Sequence, residues 1–308
     1  MSALGILRPP ARAAGHVYLG NVAATAMLSG IFVFGARSVR TSAPVEVAAQ
    51  RFTLATLVFG LLFVARVIRP VRIRRASTGV YLLIASSAGV FLYNVLFFAG
   101  LDLSLASSGG LIIATIPVWT SLLESAVLGT RLTLRKVVGS LVSFSGVAYL
   151  FLASLDSSAG LLDSDNLVGD LLFLAAAVCW AVYSIAMKKV VAEVEPRVAT
   201  AYSVGIGSVL LVVWSFLSNG HSPLNGEMLH IPIIYMATFG TVFALMLWFH
   251  SIQEIGPTRT SVFLNLVPVY TVVLAAVFLD ESLGLSVLVA LCIIIAGVLV
   301  VQTDPARA

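Results

Sequence analysis

Charge is scarce in this sequence. Asp, Glu, Lys and Arg make up 10% of its 308 residues, against a hydrophobic share of 59% and a mean hydropathy of +1.05, whereas soluble domains carry about 25% charged residues. A water-soluble globular fold is thereby excluded. Cysteine is limited to Cys179 and Cys292, both inside apolar stretches, so no disulfide framework is expected. None of the three lysines follows a glycine, which removes a phosphate-binding loop and with it an ATP-driven motor within this chain. The hydrolase patterns H-E-x-x-H and G-x-S-x-G are missing as well, so the chain is expected not to be an enzyme and to use no cofactor. His221, Glu227 and His230 share one loop, read as solvated rather than as a metal site. The net charge of +4 has no soluble domain that could display it to nucleic acid, and the placing of charge about a membrane accounts for it.

What is present is apolar sequence in long runs. A bilayer core about 30 Å thick needs roughly 20 apolar residues per helical span, and nine uncharged runs, from Val17–Ala36 to Ser282–Thr303, supply such spans. The tenth is cramped: between Arg51 and Arg66 lie 14 residues, about 21 Å as helix. The second helix must therefore start near Pro44 and contain Arg51. Arg8 and Arg12 precede the first run as they would in a signal peptide, but its length and the Arg37 and Arg40 that follow make it an uncleaved span.

If the amino terminus is cytoplasmic, fifteen of the eighteen basic residues fall on that side, among them Arg66 to Arg75, Arg131, Arg135, Lys136, Lys188 and Lys189. The positive-inside rule then places both termini in the cytoplasm of a cell whose inner membrane holds the chain. A shift of 151 residues brings Pro117 onto Pro268, Gly146 onto Gly297 and Leu128-Gly-Thr-Arg-Leu132 onto Leu279-Asp-Glu-Ser-Leu283. Each half holds five helices, an odd number, so the second half enters the membrane from the opposite side. The expected fold is all-α: ten transmembrane helices as two inverted five-helix repeats, over residues 17–155 and 168–303. An outer linker over 156–167 and cytoplasmic ends over 1–16 and 304–308 complete it. Inverted repeats are the architecture from which alternating access follows.

Several residues are candidates for function. Gly110, Ala114, Pro117, Ser121 and Glu124 line one face of helix 4, and Ser261, Asn265 and Pro268 occupy the matching face of helix 9; such faces serve close packing, a cavity wall, or both. Pro117 and Pro268 each remove a backbone donor and loosen a turn, as a hinge requires. Glu124 is a carboxylate inside a span, either a coupling group or a partner of Arg131, Arg135 and Lys136. Arg51 either reaches the headgroups and Glu46 or binds an anionic substrate group. Asn94 offers a central amide, and Tyr93, Trp119, Trp180 and Tyr183 are aromatics too deep for an interfacial belt, suited to a cavity wall or to core packing.

Arg51-Phe52, Ala114-Thr-Ile-Pro117, Gly146-Val147, Trp180, Asn265-Leu-Val-Pro268 and Leu279-Asp-Glu-Ser-Leu283 together resemble the drug/metabolite transporter superfamily in its ten-helix EamA-type branch. Thr130 stands where that family commonly has an acidic residue, and Ser29 where it often has tryptophan. The resemblance implies a secondary exporter of amino acids or related metabolites, aromatic ones included, with a central cavity between the halves. Efflux of lipophilic cations is the alternative within transport, and an intramembrane enzyme or a channel lies further off. The implied partners are a small-molecule substrate and the lipid bilayer, in a monomer or weak dimer.

Overall fold

The computed structural model describes residues 11–104, 106–154, 164–220, 222–223, 230–279 and 285–304. They form helices and connecting turns without strands. In chain order these are α1 (Ala11–Ser38), α2 (Pro44–Val64), α3 (Ala76–Leu103), α4 (106–128), α5 (Leu134–Ser154), α6 (Ser164–Val191), α7 (Pro196–Asn219), α8 (Ile231–Ile255), α9 (257–279) and α10 (Leu285–Gln302). Six of them, α1, α2, α3, α6, α7 and α8, are singly long and apolar enough to cross a bilayer. Proline opens α2, α7 and α9, where its missing N–H costs nothing and its fixed φ suits the first turn. Accordingly α2 begins at Pro44 and carries Arg51 in its third turn.

The two halves contact each other as a two-fold relation demands. α1 packs on α8 and α9 as α6 packs on α3 and α4, α2 packs on α8 as α7 packs on α3, and the pairs α2·α7, α4·α9 and α5·α10 join equivalent helices. The α5·α10 crossing is the tightest of the self-equivalent pairs. A methyl group built on Gly297 would lie 2.3 Å from the Ser143 nitrogen, and one on Gly146 would lie 3.0 Å from the Ala290 carbonyl. Without hydrophobic drive between helices in lipid, association depends on such close backbone approach.

Helix irregularities also repeat. α3 widens into a π-helical turn over Ser86–Leu92, and α8 does so over Thr238–Phe243. Under the 151-residue shift these segments coincide, with Gly89 upon Gly240. α4 breaks between Ile113 and Ile116, and α9 tightens into a 3-10 turn over Val262–Leu266. Both irregularities directly precede the paired prolines.

The connections at the end of the bundle that carries the C-terminus are clasped together. Arg75 Nη1 donates to Glu193 Oε1 at 2.5 Å, and Thr78 Oγ1 donates to Glu193 Oε2 at 2.6 Å. The Thr78 hydroxyl and the Arg75 guanidinium hold the Glu193 carboxyl below the usual carboxylate range. Thr133 Oγ1 donates to Asp304 Oδ2 at 2.5 Å, Arg135 Nη1 donates to the Thr303 carbonyl at 3.0 Å, and Arg259 donates to the Asp304 carbonyl. The end of α10 is thereby tied to the α4–α5 turn and to the start of α9.

Candidate functional site

A narrow cavity lies where the halves meet. Its walls come from α1, α2, α3, α4, α6, α8 and α9, and Arg51, Tyr93, Asn94, Trp180 and Tyr183 stand together in them. The space open to water-sized bodies is about 40 Å³, room for about three waters. A metabolite therefore enters only if the walls part.

Arg51 is 4% exposed, because its position in α2 faces the π turn of α8 and Asn94, which follows the π turn of α3. Its Nε donates to Thr241 Oγ1 at 2.8 Å, its Nη2 to the Gly240 carbonyl at 3.3 Å, and its Nη1 to Asn94 Oδ1 at 3.3 Å. Asn94 is held in turn, its Nδ2 donating to the Val90 carbonyl at 2.8 Å, and Thr241 donates to the Met236 carbonyl at 2.8 Å. The widened turns free backbone carbonyls for these bonds. Neither Glu46 nor the headgroup region takes up this guanidinium.

The aromatic groups form one connected wall. The ring centroids of Tyr93 and Trp180 are 4.9 Å apart, those of Trp180 and Tyr183 5.8 Å, and those of Trp180 and Trp248 6.1 Å. Tyr183 is pinned further by a 2.8 Å hydrogen bond between its hydroxyl and that of Ser203. The wall depends on Gly89. A Cβ there would fall 1.9 Å from Tyr183 Cγ and 2.5 Å from Tyr183 Cβ, too close to the backbone for the ring to swing aside. Gly89→Ala should therefore displace Tyr183 and lower substrate flux about tenfold or more, given overpacking costs of about 1–3 kcal/mol. Uptake per molecule inserted in the membrane measures this, and an unchanged rate would deny the wall its role.

The other expected residues lie elsewhere. Asn265 sits at the α5–α9 contact, Nδ2 donating to Ser143 Oγ at 2.8 Å, and Trp119 is half-buried with Nε1 donating to Thr115 Oγ1 at 3.1 Å. Pro117 and Pro268 open the regular α-helix that follows each break. Glu124 is 3% exposed and bonds neither Arg131, Arg135 nor Lys136. Its Oε2 accepts from the Thr258 N–H at 3.1 Å and from the Thr258 hydroxyl, at the start of α9. Beside it, Lys188 Nζ donates to the Ile252 and Gln253 carbonyls at 2.9 Å, at the end of α8. Negative charge at a helix start and positive charge at a helix end both suit the helix dipole. These bonds bring α4, α6, α8 and α9 together at the clasped end of the bundle. At the other end a cleft of about 830 Å³ between α1, α2 and α8 descends to Gln50, the neighbour of Arg51. His221 and Glu227 lie outside the described residues, and no cluster of metal-ligating side chains occurs among those described.

The EamA-like transporter family matches this chain twice, over residues 16–152 and 167–303, one match for each half. The chain belongs to the EamA-like transporter family. A Bacillus subtilis protein named uncharacterized transporter YyaM is 30% identical over 235 residues, 75% of this chain and 76% of its own length. A Streptantibioticus cattleyicolor protein named "Probable terminal-alkyne amino-acid exporter" is 28% identical over 242 residues, 75% of this chain and 76% of that protein. A protein of known crystal structure with 21% identity superposes with a TM-score of 0.74 over 95% of this chain and 98% of its own, which speaks to the fold. This EamA-like protein is thus a membrane transporter and not an enzyme.

Sequence reasoning missed part of this transporter's cavity. Leu28, Ile31 and Phe32 of α1 and Phe52 of α2 line it, as ordinary apolar residues without a distinguishing signal. Thr241 and Gly240 were also missed as partners of Arg51. The coincidence of Gly89 and Gly240 under the repeat shift was the available clue.

Proposed function

We propose that the chain exports amino acids or related small metabolites by alternating access across the plasma membrane, with both termini cytoplasmic. The observation that carries this reading is a central cavity at the meeting of two equivalent halves, with side-chain bonds tying the helices together at one end and a separate cleft at the other. The basic residues gathered at the closed end support its cytoplasmic placement through the positive-inside rule. Rocking of one half against the other would exchange the closed and open ends about a fixed site, with Pro117 and Pro268 as hinges, Glu124 and Arg51 as the charged elements, and Tyr93, Asn94, Trp180 and Tyr183 facing the substrate. Trp119 and Asn265 would act from outside the cavity as supports of α4 and α9. The relative named as an amino-acid exporter supports the substrate class. Liposomes holding the purified chain and preloaded with a labelled amino acid should show saturable counterflow that unlabelled amino acids inhibit. Absence of competition by any amino acid would overturn the class, and ohmic current would overturn the carrier.

A further inference from the structure

We infer that the cavity recognises a carboxylate on an apolar body, and that the α-ammonium group of an amino acid is dispensable there. This rests on the transport reading of the same cavity and narrows its substrate class. A guanidinium carries five N–H donors and holds its charge in proteins. Arg51 spends three of them, on Thr241, Asn94 and Gly240. Two donors therefore remain, on a buried cation with no carboxylate partner among the described residues.

A third donor is idle in the same wall. Trp180 Nε1 is buried without a hydrogen-bond partner, and indole nitrogen donates only. Asn94 Oδ1 and Thr241 Oγ1 accept from Arg51 and not from this indole. The three idle N–H donors of Arg51 and Trp180 call for an acceptor, and a charged one. A carboxylate supplies two oxygens to a guanidinium in charge-assisted bonds, and it neutralises a charge that is costly to leave unpaired away from water.

No Asp or Glu is among the lining residues. A substrate ammonium would thus be desolvated without an anion of the protein to meet it, leaving only aromatic faces. The rest of the wall, such as Leu28, Phe97, Ile116 and Leu245, is apolar and suits an aliphatic or aromatic body. A lipophilic cation fits the body of the cavity but meets the like charge of Arg51.

The test is equilibrium binding to the purified full-length chain, read by quenching of tryptophan fluorescence, since Trp180 forms part of the wall. The ligands are 4-methylpentanoate, L-leucine, L-leucinamide and tetraphenylphosphonium. Both carboxylates should saturate, 4-methylpentanoate at least as tightly as leucine, with leucinamide and tetraphenylphosphonium at least tenfold weaker. Arg51→Gln should erase the difference between acid and amide, and Arg51→Lys should keep part of it. If Arg51→Gln does not fold, the four ligands on the unaltered chain still decide. Amide or phosphonium binding as tight as the acid would overturn the proposal, as would no saturable binding by either carboxylate. Leucine binding more than tenfold tighter than its des-amino analogue would overturn the dispensable ammonium. Carboxylates that bind but are not carried across liposomes would sink the transport reading alone, whereas saturable amino-acid transport indifferent to the carboxylate would sink this inference alone.

Discussion

Gly297→Leu should cost this transporter its fold at the α5–α10 crossing. The first added atom alone would lie 2.3 Å from the Ser143 nitrogen and 2.6 Å from the Gly139 carbonyl oxygen. Both are backbone atoms in the middle of a neighbouring helix, so no rotamer relieves the overlap and the helices must separate. Separation forfeits the reciprocal approach at Gly139 and Gly146, whose own added carbons would meet Val301 and Ile294. Overpacking of a tight interior costs about 1–3 kcal/mol and more where backbone must move. A loss of about 3 kcal/mol corresponds to a fall in melting temperature of roughly 5–10 °C, by the scaling for chains of this order of size. Gly60→Ala is the control: its Cβ meets nothing within 4 Å, and alanine in an exposed helix is favoured by up to about 1 kcal/mol. Melting of the two purified variants side by side measures the contrast, and equal stability would refute the close-packing account.

Glu124→Leu should open the clasped end. The substitution leaves the Thr258 N–H and hydroxyl without their acceptor and removes one of the two carboxylates near Lys188, the other being Glu254. Each buried donor stranded in this way costs about 1–3 kcal/mol, which shifts the balance away from the closed state by about tenfold to a hundredfold. A cysteine placed at Ile116, in the cavity wall, reports the change. Its reaction with an impermeant maleimide applied from the side bearing the C-terminus should accelerate at least tenfold in the Glu124→Leu background. Glu124→Gln keeps an oxygen for the Thr258 N–H and should show a smaller acceleration. Unaltered labelling in both would mean that the Glu124 contact does not hold this end closed.

Both predictions concern contacts that the sequence marked without explaining. Glu124 stood out as a carboxylate in an apolar span, and its partner was sought among Arg131, Arg135 and Lys136, the cations nearest in sequence. The fold brings α9 closer, so the partner is a helix start rather than a cation. Gly146 and Gly297 were matched by the 151-residue shift, yet that shift says only that the positions are equivalent, and the crossing makes them neighbours. The polar face holding Asn265 left packing and a cavity wall both open, and its bond to Ser143 puts it at the α5 packing contact.

What the residues determined alone was the architecture. Helix number follows from where charge interrupts apolar runs, because charge in hydrocarbon is costly, and the inverted repeat follows from five helices per half. Those are one-dimensional constraints imposed by the bilayer, so a one-dimensional pattern reveals them. The tertiary structure decided which faces meet. Arg51 was visible as a cation too far into a helix, but only the approach of the α8 π-helical turn and of Asn94 in α3 turns it into a buried guanidinium with donors to spare. That arrangement depends on side chains 43 and 190 residues away in sequence, beyond the reach of local pattern.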